Sequence, residues 1–323
     1  MSASYKNVSE HSLDDLKHYH REATNFFASE LMMLKEVIPK ITDERQTKAA
    51  LLLISCTQTG AALLQLANQT DSFTTESIML SRAFMEKITN FCYASICDEK
   101  EYRAFILHPI YKHYYNVTRL REEDLDFDTT SELDTTFLDE KVKARKEKQE
   151  KLKNIPIVRE ALEMFSLRKS NKPSWTNKSL DQRIEEIGKW GNLPWTNKNL
   201  NQRIEVIEKW GKLLDVFFTL SKLQYYSDAS EALHGSLYGC SYGVGAFDPE
   251  FDREKEGELD KKLYKDSACN LLHLGMLIHE TFTLISYSAD IKEIWGHSYD
   301  NRGMALNLHF HILEKKIPGL DKK

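Results

Sequence analysis

Four side chains, two early and two late in the chain, could do proton chemistry if they met: Arg82 with Glu86, and Ser230 with His234. A guanidinium, a carboxylate, a hydroxyl and an imidazole in one cleft could bind an anion and move a proton near neutral pH. The spacing makes the meeting plausible on helices. Arg82 and Glu86 lie one turn apart on the rim of an apolar stripe formed by Ile78, Phe84, Met85, Ile88 and Cys92. Tyr226, Ser230 and His234 advance by four residues each along the rim of a second apolar face. If the rims face each other, Arg82 and His234 lie about one side-chain length apart. The same groups serve equally well as a buried hydrogen-bond network joining two core helices.

Other constellations are weaker. Glu231 and His234 form an ExxH, half of the di-iron bundle signature, but no second ExxH accompanies it. His18 with His20, and His309 with His311, are two residues apart and point away from one another on a helix. His273, His279 and Glu280 belong to an apolar helix, where satisfied core side chains are the expected account. No metal and no cofactor is expected. The glycines between Gly235 and Gly245 lack the order of a phosphate-binding loop.

The elements that must position these residues are helices. With 13 glycines and 7 prolines in 323 residues, and apolar positions recurring at three and four, the composition favours helices over strands. Ser12 with Asp15 opens a first helix that Pro39 ends, and Asp43 opens a second in which Gly60 marks a close crossing. Thr74 or Thr75 opens a third to about Cys97, and a fourth carries Pro109, with a kink near Leu107 expected. Later helices run through Leu213 to Leu223, Leu259 to Ile285, and Leu306 to Ile312. The expected fold is all-α: one helical bundle over residues 1–323.

Two elaborations interrupt that bundle. Residues 122–172 form a charged excursion, in which 122–140 hold nine acidic residues and no basic one, and 141–153 hold seven basic against two acidic. Residues 173–212 are a tandem repeat of about twenty residues, PSWTNKSLDQRIEEIGKWGN followed by PWTNKNLNQRIEVIEKWGK, which reads as a local duplication.

A net charge of -5 offers no global attraction for phosphate, so RNA binding would need a local basic face such as 141–153. Such a lysine and glutamate mixture is more often a solvated helix face. The first residues lack a basic and apolar leader, and a cytoplasmic location is expected. The five cysteines, Cys56, Cys92, Cys97, Cys240 and Cys269, form no CxxC pair and suit buried thiols. Ala49 to Thr70 carries no charge, yet Gln58, Gln65, Asn68 and Gln69 favour a core helix over a membrane span.

The segments LSRAFMEKITNF, WTNKSLDQRIEEIGKW and YYSDASEALHGS together resemble a bacterial helical family of unknown function, which carries Arg-x-x-x-Glu early and a Tyr/Ser/His helix later. The duplicated Trp unit and the charged excursion depart from it. That resemblance implies a helical fold and no established activity. A weaker resemblance is to the HEPN group of helical proteins, many of them RNases of defence and toxin systems, through Arg-x(4 to 6)-His. Arg103 with His108 fits it, as does Arg302 with His309. That likeness implies a metal-independent endoribonuclease with His as general acid or base and Arg holding the scissile phosphate.

Two function classes follow. The leading one is a regulatory or defence- and stress-associated binding module with a polar cleft, engaging another protein or RNA. The alternative is the RNase, with its site duplicated across a homodimer. An RNase needs its histidine partly exposed, whereas a scaffold buries it with its polar atoms paired.

Overall fold

A computed structural model of the chain describes residues 11–69, 75–118, 135–166, 174–190 and 257–313. Among them every regular element is helical: nine α-helices, one short 3-10 turn and no strand. The contacts divide the chain into two units, residues 1–96 with 180–323, and residues 97–179.

In the first unit, α1 (Leu13–Val37) begins at a complete capping box. Ser12 Oγ accepts from Asp15 N at 3.1 Å, and Asp15 Oδ2 accepts from Ser12 N at 3.1 Å. The Ser12 hydroxyl holds the Asp15 carboxyl below its ordinary value. Pro39 sits in the 3-10 turn Ile38–Lys40 that closes the helix. Then come α2 (Glu44–Gln69), α3 (Thr75–Ile96) and α7 (Leu180–Trp190). The long α8 (Glu258–Ser286) and α9 (Lys292–Ile312) complete the unit.

α8 is the axis of this unit: α1, α3 and α9 all pack on it, and every residue from Ser267 to Phe282 is buried. Close approach is secured by two glycines. A Cβ on Gly275 of α8 would stand 2.4 Å from Phe26 Cε1 of α1, and one on Gly60 of α2 would stand 2.6 Å from Leu31 Cδ1 of α1. The crossing expected at Gly60 is therefore made with α1. Both α2 and α8 are long and apolar enough to cross a membrane, but nearly all of the apolar window of α8 lies inside the fold, against less than half of that of α2.

The second unit holds α4 (Glu99–Thr118), α5 (Thr135–Lys153) and α6 (Pro156–Ser166). α4 is one helix running through Pro109, whose ring removes the donor that would serve the Phe105 carbonyl. Its inner face packs Ala104 and Leu107 against Ala161 and Phe165 of α6. The first repeat copy anchors here: the Trp175 ring meets Phe105 edge-on at 5.1 Å, Thr176 Oγ1 donates to Glu101 Oε1 at 3.0 Å, and Lys178 Nζ reaches Glu101 Oε2 at 3.2 Å. The second copy, Pro194 to Lys212, lies outside the described residues.

The glycine contacts give a direct test by thermal unfolding. Gly60→Ala and Gly275→Ala force a packed neighbour to move and are each expected to cost about 1–3 kcal/mol. Gly303→Ala, on α9 with open space around it, is expected to stabilise by about 0.5–1 kcal/mol through helix propensity.

Candidate functional site

The polar rim of α3 is formed as its spacing implies. Arg82 Nε donates to Glu86 Oε1 at 3.1 Å, with the two side chains 16% and 39% exposed. One turn further on, Asn90 Oδ1 accepts from Arg183 Nη1 of α7. On the adjoining row, Lys87 Nζ donates to Thr59 Oγ1 at 2.6 Å and approaches the Ser55 carbonyl at 3.5 Å, both on α2. The segments LSRAFMEKITNF and WTNKSLDQRIEEIGKW are thus brought together, Asn90 against Arg183. Asn90 and Arg183 escaped the sequence reading, although the run 82, 86, 90 and the arginine shared by both repeat copies were the available signals. Ser230 and His234, with Tyr226, lie outside the described residues.

Arg103 and His108, in the second unit, are turned to separate tasks. Five residues on a helix separate them by about 140°. Arg103 grips Glu160 of α6 with two bonds, Nε to Oε1 at 2.6 Å and Nη2 to Oε2 at 2.5 Å, which holds the Glu160 carboxyl below its ordinary range. The His108 ring lies 5.6 Å from that of Phe165.

Arg302 and His309 share a face of α9, since seven residues return to within about 20° of the start. That face is turned inward. Arg302 Nη2 stands 2.7 Å from Glu280 Oε1 of α8, both side chains 6% exposed. Burial pushes the Glu280 carboxyl upward and Arg302 opposes the shift. His309 Nε2 lies 3.4 Å from His273 Nε2, with the rings 4.6 Å apart. Burial, and then the neighbouring His309, push His273 down to about 3.

A second buried group adjoins α8. Ser298 Oγ donates to Glu30 Oε2 of α1 at 2.6 Å and lies 2.8 Å from His279 Nδ1. Asn301 Nδ2 reaches Glu30 Oε1 at 3.5 Å. Desolvation drives the Glu30 carboxyl up to about 8, against the Ser298 and Asn301 bonds, and drives His279 down to about 3. The strip continues through Asn270 Nδ2 to Ser81 Oγ at 2.7 Å and His20 Nε2 to Ser267 Oγ at 2.9 Å. Each of these polar groups of α8 meets a side chain of another helix, while Asn270 Oδ1 is buried without a hydrogen-bond partner among the described residues.

Among the described residues, no group of three or more His, Cys, Asp or Glu could hold a metal ion. Cys56, Cys92, Cys97 and Cys269 are buried free thiols, and burial pushes Cys92 and Cys269 up to about 12. Cys240 and the ExxH at 231–234 lie outside the described residues.

A family model described as "Family of unknown function (DUF5677)" matches residues 48–251. That stretch contains the α3 rim and both repeat copies. No curated protein and no solved structure matches the chain.

Two measurements test the energetics of the buried strip. Glu30 ionises near 4.5 when unfolded and near 8 in the fold, so its contribution to stability is present below the lower value and is lost as pH rises through the upper one. Glu30→Gln is therefore expected to raise the melting temperature at pH 8 to 9 and to leave it nearly unchanged at pH 4. For the ion pair, Glu280→Met or Arg302→Met alone is expected to cost about 3–5 kcal/mol, and the double variant Glu280→Met with Arg302→Met to recover most of that loss. A double-mutant cycle by denaturant unfolding reads both.

Proposed function

The chain belongs to this family of unknown function, and from the partners its arginines hold we propose that it is a regulatory binding module rather than a nuclease. The observation that carries this reading is shared by two distant sites. In both Arg and His pairs with nuclease spacing, the guanidinium is held by a carboxylate of the protein itself, Arg103 by Glu160 and Arg302 by Glu280. A nuclease arginine has to offer that charge to the scissile phosphate. Buried as it is, the Arg302 pair is also out of reach of a polynucleotide.

The binding surface in this proposal is the rim of α3. Arg82 and Glu86 are part-exposed and held to one another, so in this proposal a protein segment bearing an acid and a hydrogen-bond donor exchanges partners with that ion pair. Ser230 and His234 extend that surface in the proposal, as their helical spacing suggests. The defence or stress setting belongs to the same proposal and is supported by the sequence likeness alone.

Incubation of the purified chain with total RNA tests the choice, run beside His108→Ala, His234→Ala and His309→Ala. The expected result is intact RNA with every protein. Cleavage by the parent chain that one of these variants abolishes would overturn the reading and identify the nuclease histidine.

A further inference from the structure

The first repeat copy is held at two seats, one in each unit. In the second unit Trp175 meets Phe105 edge-on, and Glu101 accepts from Thr176 Oγ1 and pairs with Lys178 Nζ. In the first unit α7 lies on α3 with Leu180, Ile184 and Ile187 buried, and Arg183 Nη1 donates to Asn90 Oδ1. Between the stretches Trp175 to Trp190 and Trp195 to Trp210, 12 of 16 positions are identical, and all seven of these seat-making side chains are among the twelve. Side chains of the same type at the same spacing fit the same seat. Each seat therefore has two occupants available within one chain.

We propose that the two copies exchange on these seats, so that Trp195, Thr196 and Lys198 take the places of Trp175, Thr176 and Lys178 on α4, and Leu200, Arg203, Ile204 and Ile207 those of Leu180, Arg183, Ile184 and Ile187 on α3. Three effects set the balance between the seatings. Eight residues separate Ser166, the last of α6, from Trp175, whereas 28 separate it from Trp195. The entropy of closing the longer loop favours the first copy about sixfold. Asp181 in the first turn of α7 suits the positive end of the helix better than Asn201 does, which favours the first copy again by about two- to fivefold. Against both, the first copy carries Gly188 inside α7 where the second carries Glu208. Glycine gives up more backbone freedom than any other residue on entering a helix, which favours the second copy about two- to fivefold. The two seatings thus lie within about tenfold of one another. In either one the seats stay filled, and the displaced copy is left with a tryptophan, a leucine and two isoleucines to offer elsewhere.

Cross-linking of the full chain reads the exchange. A Cys240→Ser background leaves the buried Cys56, Cys92, Cys97 and Cys269 as the native thiols. In it, Asn90→Cys is combined with either Arg183→Cys or Arg203→Cys and treated with bismaleimidoethane. Both pairs should link within one chain, and adding Ile184→Asp should raise the initial rate for the Arg203→Cys pair severalfold. Thermal unfolding gives an independent reading. Ile184→Asp or Ile204→Asp alone should lower the melting temperature by no more than about 2 °C, because the other copy takes the seat, and the two together by about 10 °C. Linking through Arg183→Cys only, whether or not Ile184→Asp is present, would overturn the proposal, as would links found solely between two chains. So would a loss of about 10 °C from either single substitution, or a double variant no less stable than the single ones, since each shows that the copies do not replace one another.

Discussion

A helix enclosed on every side has to find a partner within the protein for each polar group it carries, and α8 carries many. From Ser267 to Thr281 it brings two hydroxyls, an amide, two imidazoles and a carboxylate into the interior of its unit. Left unsatisfied, such groups cost on the order of 1–3 kcal/mol each, and the carboxylate more. The neighbouring helices meet much of that demand, with Asn270 Oδ1 left without a hydrogen-bond partner among the described residues. α1 supplies His20, α3 supplies Ser81 and Cys92, and α9 supplies Ser298, Arg302 and His309.

Apolar packing alone would let these helices slide by a turn at modest cost, because one leucine fills much the same space as another. The polar contacts are discrete. A one-turn shift of α9 along α8 would separate Arg302 from Glu280, and Ser298 from both His279 and Glu30, leaving charges buried without partners. Buried pairs of this kind are poor sources of net stability, and fixing register is the role in which they are best attested. The strained ionisation of Glu30 and the neutral state of His273 and His279 are costs accepted for that registration. On this view the histidines and acids of α8 and α9 are architectural.

How much of this the sequence disclosed depends on distance along the chain. Local signals were legible: the helical periodicity, the capping box at Ser12 and Asp15, the closure at Pro39, and the crossing glycine Gly60. The contact between Arg82 and Glu86 was also legible, since it lies within one turn. Partners far apart in sequence were not. Nothing in the neighbourhood of Arg103 points to Glu160, 57 residues away, and nothing near Glu30 points to Ser298, 268 residues away. The spacing of Arg302 and His309 illustrates the hazard. A seven-residue interval does place both side chains on one face, as a nuclease motif requires, but the interval cannot say whether that face looks toward solvent or toward Glu280 and His273.

The tandem repeat shows the same constraint acting on sequence change. In the second unit, Trp175, Thr176 and Lys178 make the contacts with α4. In the first unit, Leu180, Ile184 and Ile187 are buried, and Arg183 holds Asn90. Every one of these residues recurs twenty positions later, as Trp195, Thr196, Lys198, Leu200, Arg203, Ile204 and Ile207. Between Trp175 and Trp190 the copies differ at Ser179, Asp181, Glu186 and Gly188, which become Asn199, Asn201, Val206 and Glu208, and the first three of these positions are exposed or half-exposed in the first copy. Among the positions whose burial is described, the changes fall where the side chain meets water and spare those that meet another helix. The second copy thus retains, residue for residue, the side chains with which the first copy seats on α3 and α4.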